Sequence, residues 1–130
     1  MPRSMPPAAR TRPIVALLAA APLLTGCGDQ EPPVRFPEGE VRLTMNDYRF
    51  APEVVRTPAG AVTIRAENGG RLPHALRVMQ GEREFLRIGT LLPGEDGEAT
   101  ADLEPGGYRL LCPIGNHEEL GMYGQLTVTR

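Results

Sequence analysis

The chain has 130 residues, room for one domain and a leader. Aromatics are 5% and Trp is absent, so a core must rest on Val, Leu, Ile and Ala, while 15 Gly and 14 Pro suit a turn-rich β protein or a partly disordered one. A net charge of −2 with no lysine gives no basis for nucleic-acid binding, and two His and two Cys exclude a disulfide-dense scaffold, a four-cysteine zinc site and any site needing three histidines.

Arg3, Arg10 and Arg12 precede an apolar run of 11 residues, Ile14 to Leu24. A membrane span needs about 20, so the run reads as the core of an export signal rather than an anchor. It ends in Leu24-Thr25-Gly26-Cys27. Small residues ahead of a cysteine resemble the lipobox of bacterial lipoproteins. That resemblance implies that residues 1–26 are a signal peptide and that Cys27 carries the lipid anchor. An ordinary secretory signal with an unrelated cysteine is the alternative. All 16 acids and 11 of the 14 arginines lie beyond residue 26, so the exported chain is mildly acidic. The expected location is extracytoplasmic, on a bacterial membrane, either periplasmic or on the outer face of the cell membrane. Two or more acyl chains would hold firmly where one binds reversibly.

Residues 27–39 read as the lipidated cysteine and a flexible linker, because three prolines and three acids crowd into 28–38. From residue 40 the pattern changes. Val41, Leu43 and Met45 alternate with Arg42, Thr44 and Asn46, the period of a half-buried strand. The same period recurs in Val62-Ile64-Ala66, His74-Leu76-Val78, Ala99-Ala101-Leu103, Tyr108-Leu110-Cys112 and Leu126-Val128. Turn chemistry separates these runs at Pro58-Ala-Gly60, Asn68-Gly69-Gly70, Pro93-Gly94 and Pro105-Gly106-Gly107. Short strands between regular turns predict an all-β sandwich or barrel over 40–130. Glu84 to Ile88 fits either a strand or a helical turn.

The segment with the most chemistry is Cys112-Pro-Ile-Gly-Asn-His117-Glu-Glu-Leu-Gly-Met122. A thiol, an imidazole and a thioether lie within 11 residues, between two strands, on a loop supple enough to fold back. The second histidine, His74, sits on an inward strand face far upstream. Soft sulfur with imidazole selects copper over hard ions, and two His and one Cys with a weak axial Met is the blue-copper arrangement. Each residue alone has a plainer reading: His74 as a hydrogen-bonded core residue, Cys112 as an inert buried thiol, Met122 as packing. A Cys27–Cys112 disulfide is a further alternative in an oxidising compartment, although the lipobox reading assigns Cys27 elsewhere. The histidines, this cysteine and the methionine nevertheless fall on a single pattern.

That pattern resembles the C-terminal copper loop of the cupredoxins, the type 1 blue copper proteins, and Asn68-Gly69-Gly70 ahead of Pro73-His74 is similar to their strand carrying the first histidine. Four residues separate Cys112 from His117, and four separate His117 from Met122. This spacing is longer than that of plastocyanins and closest to rusticyanin and sulfocyanin. The resemblance implies a Greek-key β-sandwich or barrel of the cupredoxin type holding one type 1 copper ion. His74, Cys112 and His117 would be the strong ligands and Met122 the axial one. It also implies that the backbone amides of Ala75 and Ile114 hydrogen-bond the thiolate. Ile114, Leu120 and Tyr123, with Pro113, Gly115 and Gly121, would form an apolar rim where His117 nears the surface and electrons pass. Glu118 and Glu119 read as a solvated acidic rim, or else as a docking patch for a basic partner such as a cytochrome c.

The function so implied is a membrane-tethered, monomeric carrier of single electrons between redox proteins such as a cytochrome c and a terminal oxidase or reductase. The resemblance thus implies a carrier and not an enzyme. A second copper for oxidase or nitrite-reductase chemistry needs further histidines, and both are already assigned. A Cys–His nucleophile leaves Met122 unexplained. The alternative function is a copper-binding and delivery protein, a Cu(I) chaperone using the same ligands.

Overall fold

The computed structural model describes residues 1–4 and 31–130; the apolar run, the lipobox and Cys27 lie outside the described residues. The described residues form strands and turns, with no helix. In chain order the strands are β1 (Val34–Arg35), β2 (Glu40–Asn46), β3 (Arg49–Ala51), β4 (Val54–Pro58), β5 (Gly60–Asn68), β6 (His74–Gln80), β7 (Arg83–Leu91), β8 (Asp96–Leu103), β9 (Gly106–Leu111) and β10 (Tyr123–Thr129).

They assemble into two sheets, one ordered β1-β4-β10-β9-β6-β7 and the other β3-β2-β5-β8. Pairing is mixed. β2 runs parallel to β5 and β4 parallel to β10, while β9–β10, β6–β9 and β5–β8 are antiparallel. Neighbours in space are often not neighbours in sequence, so the chain crosses between sheets as a Greek key does. Alternation supplies the filling between the sheets. Val41, Leu43 and Met45 of β2, Val62, Ile64 and Ala66 of β5, Leu76 and Val78 of β6, Leu110 of β9, and Leu126 and Val128 of β10 are all buried. Phe50 of β3 and Val55 of β4 are fully buried as well, although periodicity did not single out that stretch.

One expectation needs correction and one open reading is settled. Residues 34–36 are not free linker. Val34 and Arg35 pair with Val55 and Arg56 on the open edge of β4. The Phe36 amide donates to the Arg56 carbonyl at 2.8 Å, and Thr57 Oγ1 donates to the Phe36 carbonyl at 2.9 Å. Phe36 packs against the core, which draws this proline-flanked segment onto the sheet. The ambiguous stretch at 84–88 is strand, part of β7. Its register against β6 shifts between His74 and Leu76 and again between Val78 and Met79. Each shift places an extra residue on β7, as at a β-bulge, which breaks period two and imitates a helical spacing.

Tyr108 of β9 packs edge-on against Phe85 with ring centroids 5.2 Å apart, and its hydroxyl donates to the Glu104 carbonyl at 2.9 Å. Tyr108→Phe keeps the ring and removes this bond. We expect a loss of about 1 kcal/mol in urea unfolding of the metal-free protein; unchanged stability would show that the bond contributes nothing net.

Candidate metal centre

Three strand ends and one loop build the site. His74 is the first residue of β6 and is fully buried. Cys112 follows the last residue of β9, and Met122 precedes the first of β10. Because Leu111 pairs with Tyr123, the two sulfur residues stand opposite one another, and the Cys112 amide donates to the Met122 carbonyl at 3.1 Å. Between them the loop folds back on itself. The His117 amide donates to Ile114 O at 3.0 Å, that of Gly121 to Glu118 O at 3.0 Å, and that of Met122 to His117 O at 2.9 Å. Gly115 (φ 51°) and Gly121 (φ 112°) take backbone conformations that other residues avoid, which lets the turns close.

The result brings one donor atom each from His74, Cys112 and His117 within 4.8 Å of one another. Cys112 Sγ and His117 Nδ1 are 3.6 Å apart. Met122, whose carbonyl accepts from the Cys112 amide, is fully buried, and His117 is 9% exposed. The two imidazoles meet edge-on with centroids 5.1 Å apart, and the Tyr48 ring packs against His117 at 4.9 Å. Burial, and next the neighbouring His74, push His117 below the ordinary imidazole value, with Asp47 opposing. The shift favours the neutral ring, the form able to bind a metal.

His74 tests whether this cluster suits a metal. Its Nε2 is engaged with Asp47 Oδ1 at 2.7 Å, while its Nδ1 is buried with no hydrogen-bond partner. Orphaned buried polar atoms are costly and rare. A buried nitrogen without a partner, beside a thiol and a second imidazole, is what a soft metal ion would satisfy. Two imidazoles and a thiol suit copper better than a hard cation.

The remaining expected residues take varied places. Ala75 is buried on β6, and Ile114 packs against the core. Among the described residues the hydrogen-bond contact of Cys112 Sγ is His117 Nδ1. Leu120 (51%) and Tyr123 (44%) are exposed. The Arg109 guanidinium lies 4.8 Å from the Tyr123 ring and pairs with Glu118 at 2.7 Å. Glu118 is thus partly neutralised rather than a freely solvated acid.

Asp47, Tyr48 and Asn68 contribute contacts that sequence reasoning did not assign. Asp47 and Tyr48 occupy the short turn between β2 and β3, and the run Asn46-Asp47 signals only a turn. The buried Asn68 side chain donates to the carbonyls of Leu72 and Leu91, each at 2.8 Å, and accepts from the Gly70 amide at 2.9 Å. It fastens the loop that leads into His74.

No protein-family model matches the chain. A stretch of 90 residues, 69% of the chain, is 28% identical to the iron uptake system component EfeO of Yersinia pestis. That stretch is 23% of EfeO, so the chain spans about a quarter of the curated relatives it matches. Among solved structures, dithionite-reduced auracyanin from Roseiflexus castenholzii superposes with a TM-score of 0.66 at 16% identity, over 73% of this chain and 100% of that one. Auracyanin A, a "blue" copper protein of Chloroflexus aurantiacus, gives 0.62 at 17% identity, over 69% and 98%. Reduced rusticyanin gives 0.59 at 17% identity, over 73% and 83%. A purple cupredoxin from Nitrosopumilus maritimus gives 0.54. The chain has the cupredoxin fold.

Proposed function

We propose that the protein is a type 1 copper protein that carries single electrons between partners outside the cytoplasm. The convergence of His74, Cys112 and His117 within 4.8 Å on the cupredoxin scaffold carries this reading. Those three side chains would hold the ion, with Met122 as the weaker fourth donor. Copper, when bound, supplies one-electron Cu(II)/Cu(I) chemistry. The chain's contribution is rigidity. Cys112 and Met122 are tied across the hairpin, Met122 to His117 along the loop, and His74 to Asp47, so the donors would shift little when charge changes. No substrate bond need be made or broken, so we read the protein as a carrier rather than an enzyme. Anchoring through Cys27 to a bacterial membrane, and exchange with a cytochrome c or a terminal oxidase or reductase, belong to the same proposal. So does a monomeric state.

The deciding experiment is the visible spectrum of the exported chain after adding Cu(II). An intense blue thiolate-to-copper band supports the carrier. Tight Cu(I) binding without colour would replace it by metal delivery, a second reading favoured by the likeness to an iron uptake component.

Leu120 and Tyr123 lie exposed close to His117 in sequence and offer an apolar docking rim. Leu120→Asp should weaken partner docking about tenfold, as truncation of an interface anchor does, while leaving the blue band unchanged. Equal electron-transfer rates for the two proteins would remove the rim from the pathway.

A further inference from the structure

Asp47 lies 27 residues from His74 in sequence, yet its Oδ1 sits 2.7 Å from His74 Nε2. Its carboxylate is itself held in place. The Arg71 amide donates to Oδ2 at 3.0 Å and to Oδ1 at 3.2 Å, and the Leu72 amide reaches Oδ1 at 3.4 Å. These two amides belong to the loop that Asn68 fastens. Gly70 makes the approach possible. A Cβ there would come within 2.9 Å of His74 Nε2 and would collide with Asp47 Oδ1. A carboxylate meets one ring nitrogen, a pair of backbone donors holds that carboxylate, and a residue without a side chain leaves room for both.

We propose that Asp47 is a positioning residue that fixes which nitrogen of His74 faces the metal site, and that its charge strengthens that nitrogen as a donor. An ionised carboxylate only accepts hydrogen bonds. His74 must therefore carry its proton on Nε2 to meet it, which leaves the lone pair on Nδ1. That Nδ1 is the buried atom without a hydrogen-bond partner. The same contact fixes the plane of the ring. Sharing the Nε2 proton with the carboxylate raises electron density on the ring and makes Nδ1 a stronger donor, an effect general to metal-binding histidines backed by carboxylates. The stronger donor favours the more highly charged state of a bound ion. Asp47 would then bias a copper site toward Cu(II) and lower its reduction potential. This second consequence rests on the copper reading; the first does not.

The test uses the exported chain and its Asp47→Asn and Asp47→Ala variants. Nitrogen-15 NMR of the metal-free proteins reads the His74 tautomer directly. The parent should show the Nε2–H form. Asp47→Asn, which retains a carbonyl acceptor, should keep it, and Asp47→Ala should shift His74 to a mixture or to the Nδ1–H form. With copper added, both variants should lose Cu(II) affinity by about 10-fold or more. If Cu(I) affinity is unchanged, a tenfold loss raises the potential by about 59 mV. A parent with His74 in the Nδ1–H form, or an Asp47→Ala variant with the parent's tautomer, would overturn the positioning role. An unaltered potential in Asp47→Asn would overturn the electronic role. Should copper not bind at all, the proposed function fails, and the tautomer of the metal-free proteins still decides the role of Asp47.

Discussion

Cys112→Ser is expected to remove the blue band of the copper-loaded protein entirely. The band requires sulfur-to-copper charge transfer, and Cys112 is the cysteine the fold brings to the site. A serine hydroxyl is a hard donor that stays protonated at neutral pH, so Cu(I) binding should fall further than Cu(II) binding. Stability gives a second readout. An ion present at a thousand times its dissociation constant stabilises the folded state by about 4 kcal/mol. The parent should therefore melt at a markedly higher temperature with copper than without, and the variant should show little difference. Comparison of the two metal-free proteins corrects for placing a hydroxyl in a buried position. A variant that keeps the intense band would show that the thiol is not a ligand.

Asn68→Ala should be among the most destabilising single changes in the metal-free protein. Its carboxamide is fully buried and makes three hydrogen bonds to backbone groups. The Gly70 amide keeps a second partner in the Met45 carbonyl, 3.1 Å away. The Leu72 and Leu91 carbonyls lose the side-chain donor. A buried polar group left unsatisfied costs about 1–3 kcal/mol, so a loss of about 3 kcal/mol is expected in urea unfolding. Asn68→Asp should be worse than Ala, because it turns a carboxylate toward two carbonyl oxygens. Asn68→Ala should also weaken metal binding, since the same loop presents the amides that hold Asp47. A loss below about 1 kcal/mol would mean that water replaces the side chain at both carbonyls.

Strands were legible where alternation is unbroken. β2 and β5 carry continuous period-two runs, and their inward residues are those the period selects. β7 was not, because its bulges against β6 shift the phase and leave Leu86, Ile88 and Leu91 as the buried set. β3 has three residues, too few to display a period, and Pro52 follows it immediately. Its Phe50 is nonetheless one of the largest fully buried side chains. β1 was hidden by its prolines. Composition reports how a segment behaves alone, and here the free edge of β4 supplies what the segment lacks.

The residues that meet at the candidate site, His74, Cys112 and His117, were readable from sequence by scarcity. With two histidines and two cysteines in the chain, few combinations exist, and the spacing from Cys112 to Met122 already places three soft or nitrogen donors on one loop. Which atoms face inward was not readable. The choice between Nδ1 and Nε2 of His74 depends on Asp47, from the turn between β2 and β3 in the opposite sheet, and on the absence of a side chain at Gly70. The distinction is physical. Donor type and strand period are properties of covalent chemistry and near neighbours, so the sequence alone determines them. Ring orientation, the partner of Glu118 and the exposure of Leu120 depend on how sheets and loops meet across long sequence separations, and only the tertiary structure decides them.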